Sequence, residues 1–316
     1  MKRWQANLIL LIAGATWGMG FVAQATAMDS IGPFLFIALR FIVASAVVLP
    51  FAMLESRRQR SSQAAPLVTG DWLKFSLIGL SLFAGMATQQ VGLLSTSVTN
   101  SGFLTGLYVV FTPILGILLF RDFPHRITWV AAILALAGIY LLSGGNLGEL
   151  VIGDMLTIGS AVFWSLQVVM IARFVGQSGR PLALSLTQFS VTGFMALVIA
   201  LVWEPIVWAD ILQVAPQILY SGIVASGFAF TLQVVGQRYT TAPQAAIFLS
   251  SEAPFAAFFA FLWLDERIGL IGLAGCGLIF IAMLAVELVP PWRASAANRA
   301  KAASEKLVSH TIVDNA

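Results

Sequence analysis

Residues 98–120 read VTNSGFLTGLYVVFTPILGILLF, and residues 239–261 read YTTAPQAAIFLSSEAPFAAFFAF. Set side by side at a constant offset of 141, Pro113 falls on Pro254 and Phe120 on Phe261. The same register carries Arg126 onto Arg267 and Ile127 onto Ile268. Each stretch is an apolar run long enough to cross ~30 Å of hydrocarbon at ~1.5 Å per residue. A second correspondence, at offsets near 147, puts Trp17 on Trp164 and Arg40-Phe41 on Gln188-Phe189. Two such matches point to an internal repeat that divides the chain in half.

Outward from these stretches, eight further runs have the same character. The full set is roughly 6–27, 33–54, 72–94, 98–120, 126–143, 153–174, 181–203, 211–234, 241–263 and 269–289. Backbone polar groups cannot stay unpaired in lipid, so each run is expected to be helical. The fold class expected is therefore an all-α integral membrane protein, with ten transmembrane helices as two inverted five-helix repeats. Residues 1–145 form the first repeat, 150–289 the second, and 290–316 a polar cytoplasmic tail expected to be disordered. The inversion follows from the odd number of helices per half: the second half starts on the opposite side of the membrane. Inverted repeats are the common architecture of alternating-access carriers, with the substrate site between the halves near the midplane.

Composition agrees. Of 316 residues, 59% are hydrophobic and only 10% charged, against about 25% charged in soluble domains. The opening Lys2-Arg3, apolar run and Ala25-Thr26-Ala27 have the pattern of a cleaved signal. The length of the run and the spans that follow favour a first helix instead.

Lysine and arginine orient the bundle. With the N-terminus cytoplasmic, fifteen of the seventeen basic residues fall on cytoplasmic ends or loops, among them Lys2, Arg3, Arg57, Arg58, Arg60 and Arg238. Asp29, Asp154, Glu204 and Asp210 fall outside. N-terminus and C-terminus are thus both expected to be cytoplasmic. A topology signal suffices to explain Arg57, Arg58 and Arg60, which leaves no reason to invoke nucleic acid.

Several polar residues lie inside the spans. Glu252 sits near the centre of the ninth, where an ionisable group costs at least ~2.5 kcal/mol and should face the interior. It suits substrate contact or proton coupling, or else a structural hydrogen bond between helices. Arg40 lies within the second span and either lines a polar cavity or bonds helix carbonyls. The amides Gln89, Gln90, Asn100, Gln167 and Gln244 either line a polar cavity or bind helices together. Trp17 and Trp164 are mid-span, where an interfacial role fails, and with Tyr108 they are candidate aromatic lining. Pro113 and Pro254, at matched depths, are candidate hinges or packing kinks.

The sequence carries no Walker-type phosphate loop, so nothing points to direct use of ATP. No hydrolase or zinc-protease motif is present, and His125, His310 and Cys276 are too scattered for a metal site. An enzyme is not expected, nor a cofactor.

The phrases ATWGMGFVAQ, IGPFLFIALRF, NSGFLTGLYVVFTPILG and SSEAPFAAFFAFLWLDERI resemble the EamA-type permeases of the drug/metabolite transporter superfamily. The most specific pieces are ALRF, with Arg40, and the E-x-P…E-R phrase, with Glu252, Pro254, Glu266 and Arg267. In the first half His125-Arg126 stands where the second has Glu266-Arg267. The resemblance implies a bacterial inner-membrane secondary transporter that exports small metabolites such as amino acids, with a cavity between the halves. A facilitator or importer of a small nutrient is the alternative, and a channel ranks lower because no filter is evident. The partners expected are a small-molecule substrate and the lipid bilayer, with no nucleic acid; the sequence does not choose between a monomer and a homodimer.

Overall fold

The computed structural model describes residues 1–62, 65–96, 98–142, 151–264 and 269–289, apart from the side chains of 22, 98–100, 260, 263 and 264. The described residues form helices joined by short connections. These are α1 (Arg3–Ala27), α2 (Pro33–Ser61), α3 (Thr69–Gly92), α4 (Val98–Thr105), α5 (Tyr108–Phe120), α6 (Arg126–Leu142), α7 (Ile152–Ser178) and α8 (Pro181–Trp203). Two short helices follow, α9 (Trp208–Gln213) and α10 (Ala215–Leu219), the latter running into a π-helical segment, Tyr220–Phe228. α11 (Ala229–Gln237), α12 (Ala242–Leu249), α13 (Glu252–Leu264) and α14 (Leu270–Val289) complete the set.

Among the described residues, seven helical stretches are long and apolar enough to cross a membrane by length and composition. The other three expected spans are built differently. α3 has the length but carries Asp71, Lys74, Thr88, Gln89 and Gln90. α6 is described over 17 residues, Arg126–Leu142, and the residues that follow it lie outside the described ones. The run 241–263 is interrupted at Ser250-Ser251, between α12 and α13. The tail 290–316 and most of the connection between the halves, 143–150, lie outside the described residues.

The surface of the bundle is apolar and its interior partly polar, the reverse of a soluble protein. Trp203, Phe194, Leu201 and Leu270 are largely exposed, whereas Gln89, Gln90, Gln167, Gln188, Gln233 and Gln237 are buried. Such an arrangement is stable only where the surrounding solvent is itself apolar.

Several contacts recur reciprocally between the two halves. α2 lies antiparallel on α8, and each helix starts with proline at its first position, where the missing N–H is no loss. At one end Glu204 accepts from the Phe34 and Leu35 amides at 2.9 and 2.7 Å. At the other, Glu55 accepts from the Leu182 and Ala183 amides at 3.1 and 3.0 Å. Both carboxylates thus satisfy the orphan donors of the partner helix and sit on the positive end of its dipole. α3 packs on α7 as α11 packs on α1. Gly92 meets the backbone of Gly153 in the first contact, and Gly236 meets Ala6 and Leu10 in the second. α6 and α14 cross glycine to glycine, where a Cβ at Gly138 would stand 2.6 Å from the Gly275 carbonyl oxygen. Small residues at such crossings let helices approach closely without an apolar driving force.

Candidate functional site

The central cavity is enclosed by α1, α2, α3, the α4–α5 junction, α7, the π-helical segment, α11 and the α12–α13 break, and its empty space is about 510 Å³. Two of its walls are helix interruptions. α4 ends at Thr105 and α5 begins at Tyr108, so both cavity residues flank a break. Leu249 ends α12 and Glu252 begins α13, which puts the carboxyl at the other break. Interrupted helices at corresponding places in two repeats are where membrane carriers expose backbone and polar groups to a cavity.

Arg40 forms one side. It is 1% exposed, and its Nε donates to Ser226 Oγ on the π-helical segment at 3.0 Å. Its guanidinium lies 5.3 Å from the Phe41 ring centroid and 5.7 Å from that of Phe36, with Met86 Sδ 3.9 Å from Nη1. Among the described residues the ion pairs are Arg3–Glu287 and Lys74–Asp71, so no carboxylate comes within 4 Å of Arg40. The π-helical segment is held against α2 here: a Cβ at Gly222 would meet Val43 at 2.7 Å and the Arg40 carbonyl oxygen at 2.9 Å. π-helical turns concentrate at functional sites because their looser winding frees backbone groups.

Glu252, 7% exposed, faces the same cavity beside the Tyr108 hydroxyl. Neither Tyr108 Oη nor Glu252 Oε1 closes a hydrogen bond of good geometry, and Gln24 Oε1 and Trp164 Nε1 are buried without partners as well. All four belong to residues that line the cavity. Buried polar atoms are rarely left unmatched unless something else completes them. An aromatic wall joins these groups. Phe230 stacks on Trp164 at 5.8 Å with an interplanar angle of 11°, and its centroid is 4.5 Å from that of Trp17. Trp17 Nε1 donates to the Ala225 carbonyl at 2.8 Å, which fixes the indole against the π-helical segment.

The profile of the EamA-like transporter family matches twice, over residues 4–144 and 151–288. The chain belongs to that family. It is 31% identical to an uncharacterized transporter of Archaeoglobus fulgidus over 91% of this chain and 87% of that one. Uncharacterized transporters of Methanothermobacter thermautotrophicus and Bacillus subtilis, the latter YwfM, are each 24% identical. The first match covers 87% of this chain and 84% of the relative, the second 90% and 94%. A protein of known crystal structure shares the fold with a TM-score of 0.74 at 18% identity, over 92% of this chain and 98% of its own. This EamA-like protein is thus a multi-pass membrane transporter of two repeats.

The cavity of this EamA-like transporter gathers Trp17, Arg40, Gln89, Tyr108, Trp164 and Glu252 from the residues singled out in the sequence. Gln89 reaches across to Thr105, donating to its Oγ1 at 2.7 Å. Three other amides lie elsewhere. Gln90 is buried away from the lining with neither amide atom bonded. Gln167 sits behind Gln233, exchanging hydrogen bonds with it at 3.0 and 3.4 Å and donating to Gln188 at 3.2 Å. Gln244 donates to Glu287 at 3.1 Å, at the end of the bundle where α1 begins. The side chain of Asn100 lies outside the described residues.

The prolines also sit differently from expectation. Pro254 stands in the first turn of α13, where a missing N–H costs little, and the chain breaks before it at Ser250-Ser251. Pro113 lies inside α5, and the break precedes it at Gly106-Leu107. Phe230, Phe21, Met86 and Thr105 line the cavity without having been singled out. Among so many apolar residues nothing marks Phe230, Phe21 and Met86, and Thr105 is one of several hydroxyl side chains within the spans.

Proposed function

We propose that this transporter carries a small zwitterionic metabolite with an apolar or aromatic side chain, an amino acid or close relative, and exports it across the inner membrane by alternating access. The observation that carries this reading is a cavity holding one buried cation without a counter-ion and one buried carboxyl without a full set of partners. A substrate carboxylate would complete Arg40, and its ammonium would meet Glu252 and Tyr108. Its side chain would lie along Phe230, Trp17 and Trp164.

In this reading the chain crosses the membrane ten times, with repeats at 1–145 and 150–289 and both termini cytoplasmic. The interrupted helices α4–α5 and α12–α13, with Pro113 and Pro254, are its hinges. Two carboxylates at opposite ends of the bundle serve as gates. Glu287 accepts from Arg3, Asn7 and Gln244 and so ties α1, α12 and α14 together. Asp154 accepts from Thr96 and from its own helix start at Val151, tying α7 to the end of α3. Asn7 and Asp154 stand at corresponding positions of the two halves, 147 residues apart.

The test is counterflow of labelled amino acids in proteoliposomes, with and without a pH gradient. Wild-type protein should exchange an aromatic or large apolar amino acid, and Arg40→Ala should abolish exchange. A gradient that drives wild-type but not Glu252→Gln transport assigns coupling to Glu252. Equal rates with and without the gradient would make the protein a facilitator. Exchange that survives Arg40→Ala unchanged would sink the zwitterion reading.

A further inference from the structure

At the end of the bundle where α2 finishes, a groove with about 650 Å³ of empty space opens between α2, α3 and α8. It is lined by Arg57 and Arg60, three residues apart on one face of α2, together with Ser56 of α2 and Trp72 of α3. Ala52, Met53, Ala183 and Leu186 supply its apolar lining. We infer that this groove binds the headgroup of an anionic phospholipid, with Arg57 and Arg60 on the phosphate.

Three observations carry it. First, neither arginine has a carboxylate within 4 Å among the described residues. The nearby acids are already engaged: Glu55 by the Leu182 and Ala183 amides, and Asp71 by the Val68 amide and Lys74. The two guanidinium groups are therefore free for an anion. Second, the rim changes character at the right depth. Trp72 is half-exposed with its edge on Phe75, as an indole at a headgroup boundary would be. Third, an apolar stripe leads away from the groove toward the middle of the bundle. Met53, Leu49 and Ile42 are exposed at helical spacing on α2, and Phe194 is exposed on α8. That stripe gives acyl chains a path a free phosphate would not need. Clusters of arginine at such a boundary attract anionic lipid at about a tenfold gain for every one or two residues. The inference depends on the chain spanning a membrane and is independent of the cargo.

Native mass spectrometry of the full-length protein in detergent tests it, with phosphatidylglycerol, phosphatidylcholine or inorganic phosphate added. The wild type should retain phosphatidylglycerol adducts that resist collisional removal and show a higher melting temperature with that lipid than with phosphatidylcholine. Arg57→Ala/Arg60→Ala should weaken the preference roughly tenfold or more, Arg57→Lys/Arg60→Lys should keep most of it, and Lys2→Ala should leave it alone. Equal retention of the two lipids, or a preference that survives the double alanine variant, overturns the inference. Stabilisation by inorganic phosphate alone, equal to that by the lipid, overturns the lipid as occupant. If the double alanine variant does not fold, the charge reversal Arg57→Glu, read against Lys2→Glu, decides by the same criterion.

Discussion

The α2–α8 pair and the central cavity lie in the same bundle and use the same polar chemistry to opposite ends. In the pair, each buried helix start finds a carboxylate, and each of those carboxylates is spent on two amides. In the cavity, a guanidinium, a carboxyl, a phenol, an indole and an amide converge with several atoms unmatched. A membrane interior penalises unmatched polar groups more than water does. Four unmatched atoms gather around this cavity beside a cation that has no carboxylate partner among the described residues. The carboxylates of the α2–α8 pair each close two bonds, and that contrast is what the proposed division between scaffold and binding site rests on.

The largest break in that contrast should come from the cavity. Arg40→Ala or Glu252→Gln removes a charge that a bound zwitterion would meet. Losing one partner of a buried charged contact costs about 2–5 kcal/mol, so initial transport rates at low substrate should fall at least ~30-fold. The melting temperature should hold or rise, because the variant no longer buries an uncompensated group. A steep loss of melting temperature with normal transport per folded molecule would place these residues with the scaffold.

Next in size are the gates. Glu287→Ala removes an acceptor shared by three side chains, and Asp154→Ala removes its counterpart at the other end. Each should shift the balance between inward- and outward-open states by about 1–3 kcal/mol, in opposite directions. Labelling of a cysteine introduced at Gly20 by a membrane-impermeant reagent, in a Cys276→Ser background, reads the direction. The same direction from both variants would refute their role as opposed gates.

Much of this was legible in the sequence. The matched Trp17 and Trp164 do meet, through Phe230, and Arg40 and Glu252 share a cavity although they are 212 positions apart. Charge and aromaticity stand out against an aliphatic background, so these residues could be found by type. Phe230 could not, being one of 23 phenylalanines. Glu204 reads in the sequence only as one of the outer acidic charges, and nothing there marks Glu55, because the role of each depends on which helix start lies across from it. The break at Ser250-Ser251 was hidden behind Pro254: proline is the stronger sequence signal, yet in the first turn of a helix it is the lesser disturbance.

Glu204→Ala should cost about 1–2 kcal/mol of stability, the loss of a side-chain cap strengthened by charge. Its transport per folded molecule should stay near wild type. Thermal unfolding in detergent beside proteoliposome rates checks both halves of that expectation. Glu55→Ala should repeat it from the other end. If one variant is silent, the twofold relation of the caps is geometric only.

The smallest effect expected belongs to the aromatic wall. Phe230→Leu keeps most of the side-chain volume, so stability should change little. What it removes is the ring face shared with Trp164 and Trp17, and with a bound aromatic side chain. Such ring pairs contribute about 0.5–1.5 kcal/mol beyond their area. The half-saturating concentration of an aromatic amino acid should therefore rise ~3- to 10-fold, while that of an aliphatic one of similar size stays put. The difference between the two substrates, measured in one variant, isolates the ring from the packing. A uniform rise for both would assign Phe230 to the shape of the cavity and leave selectivity to Trp17 and Trp164.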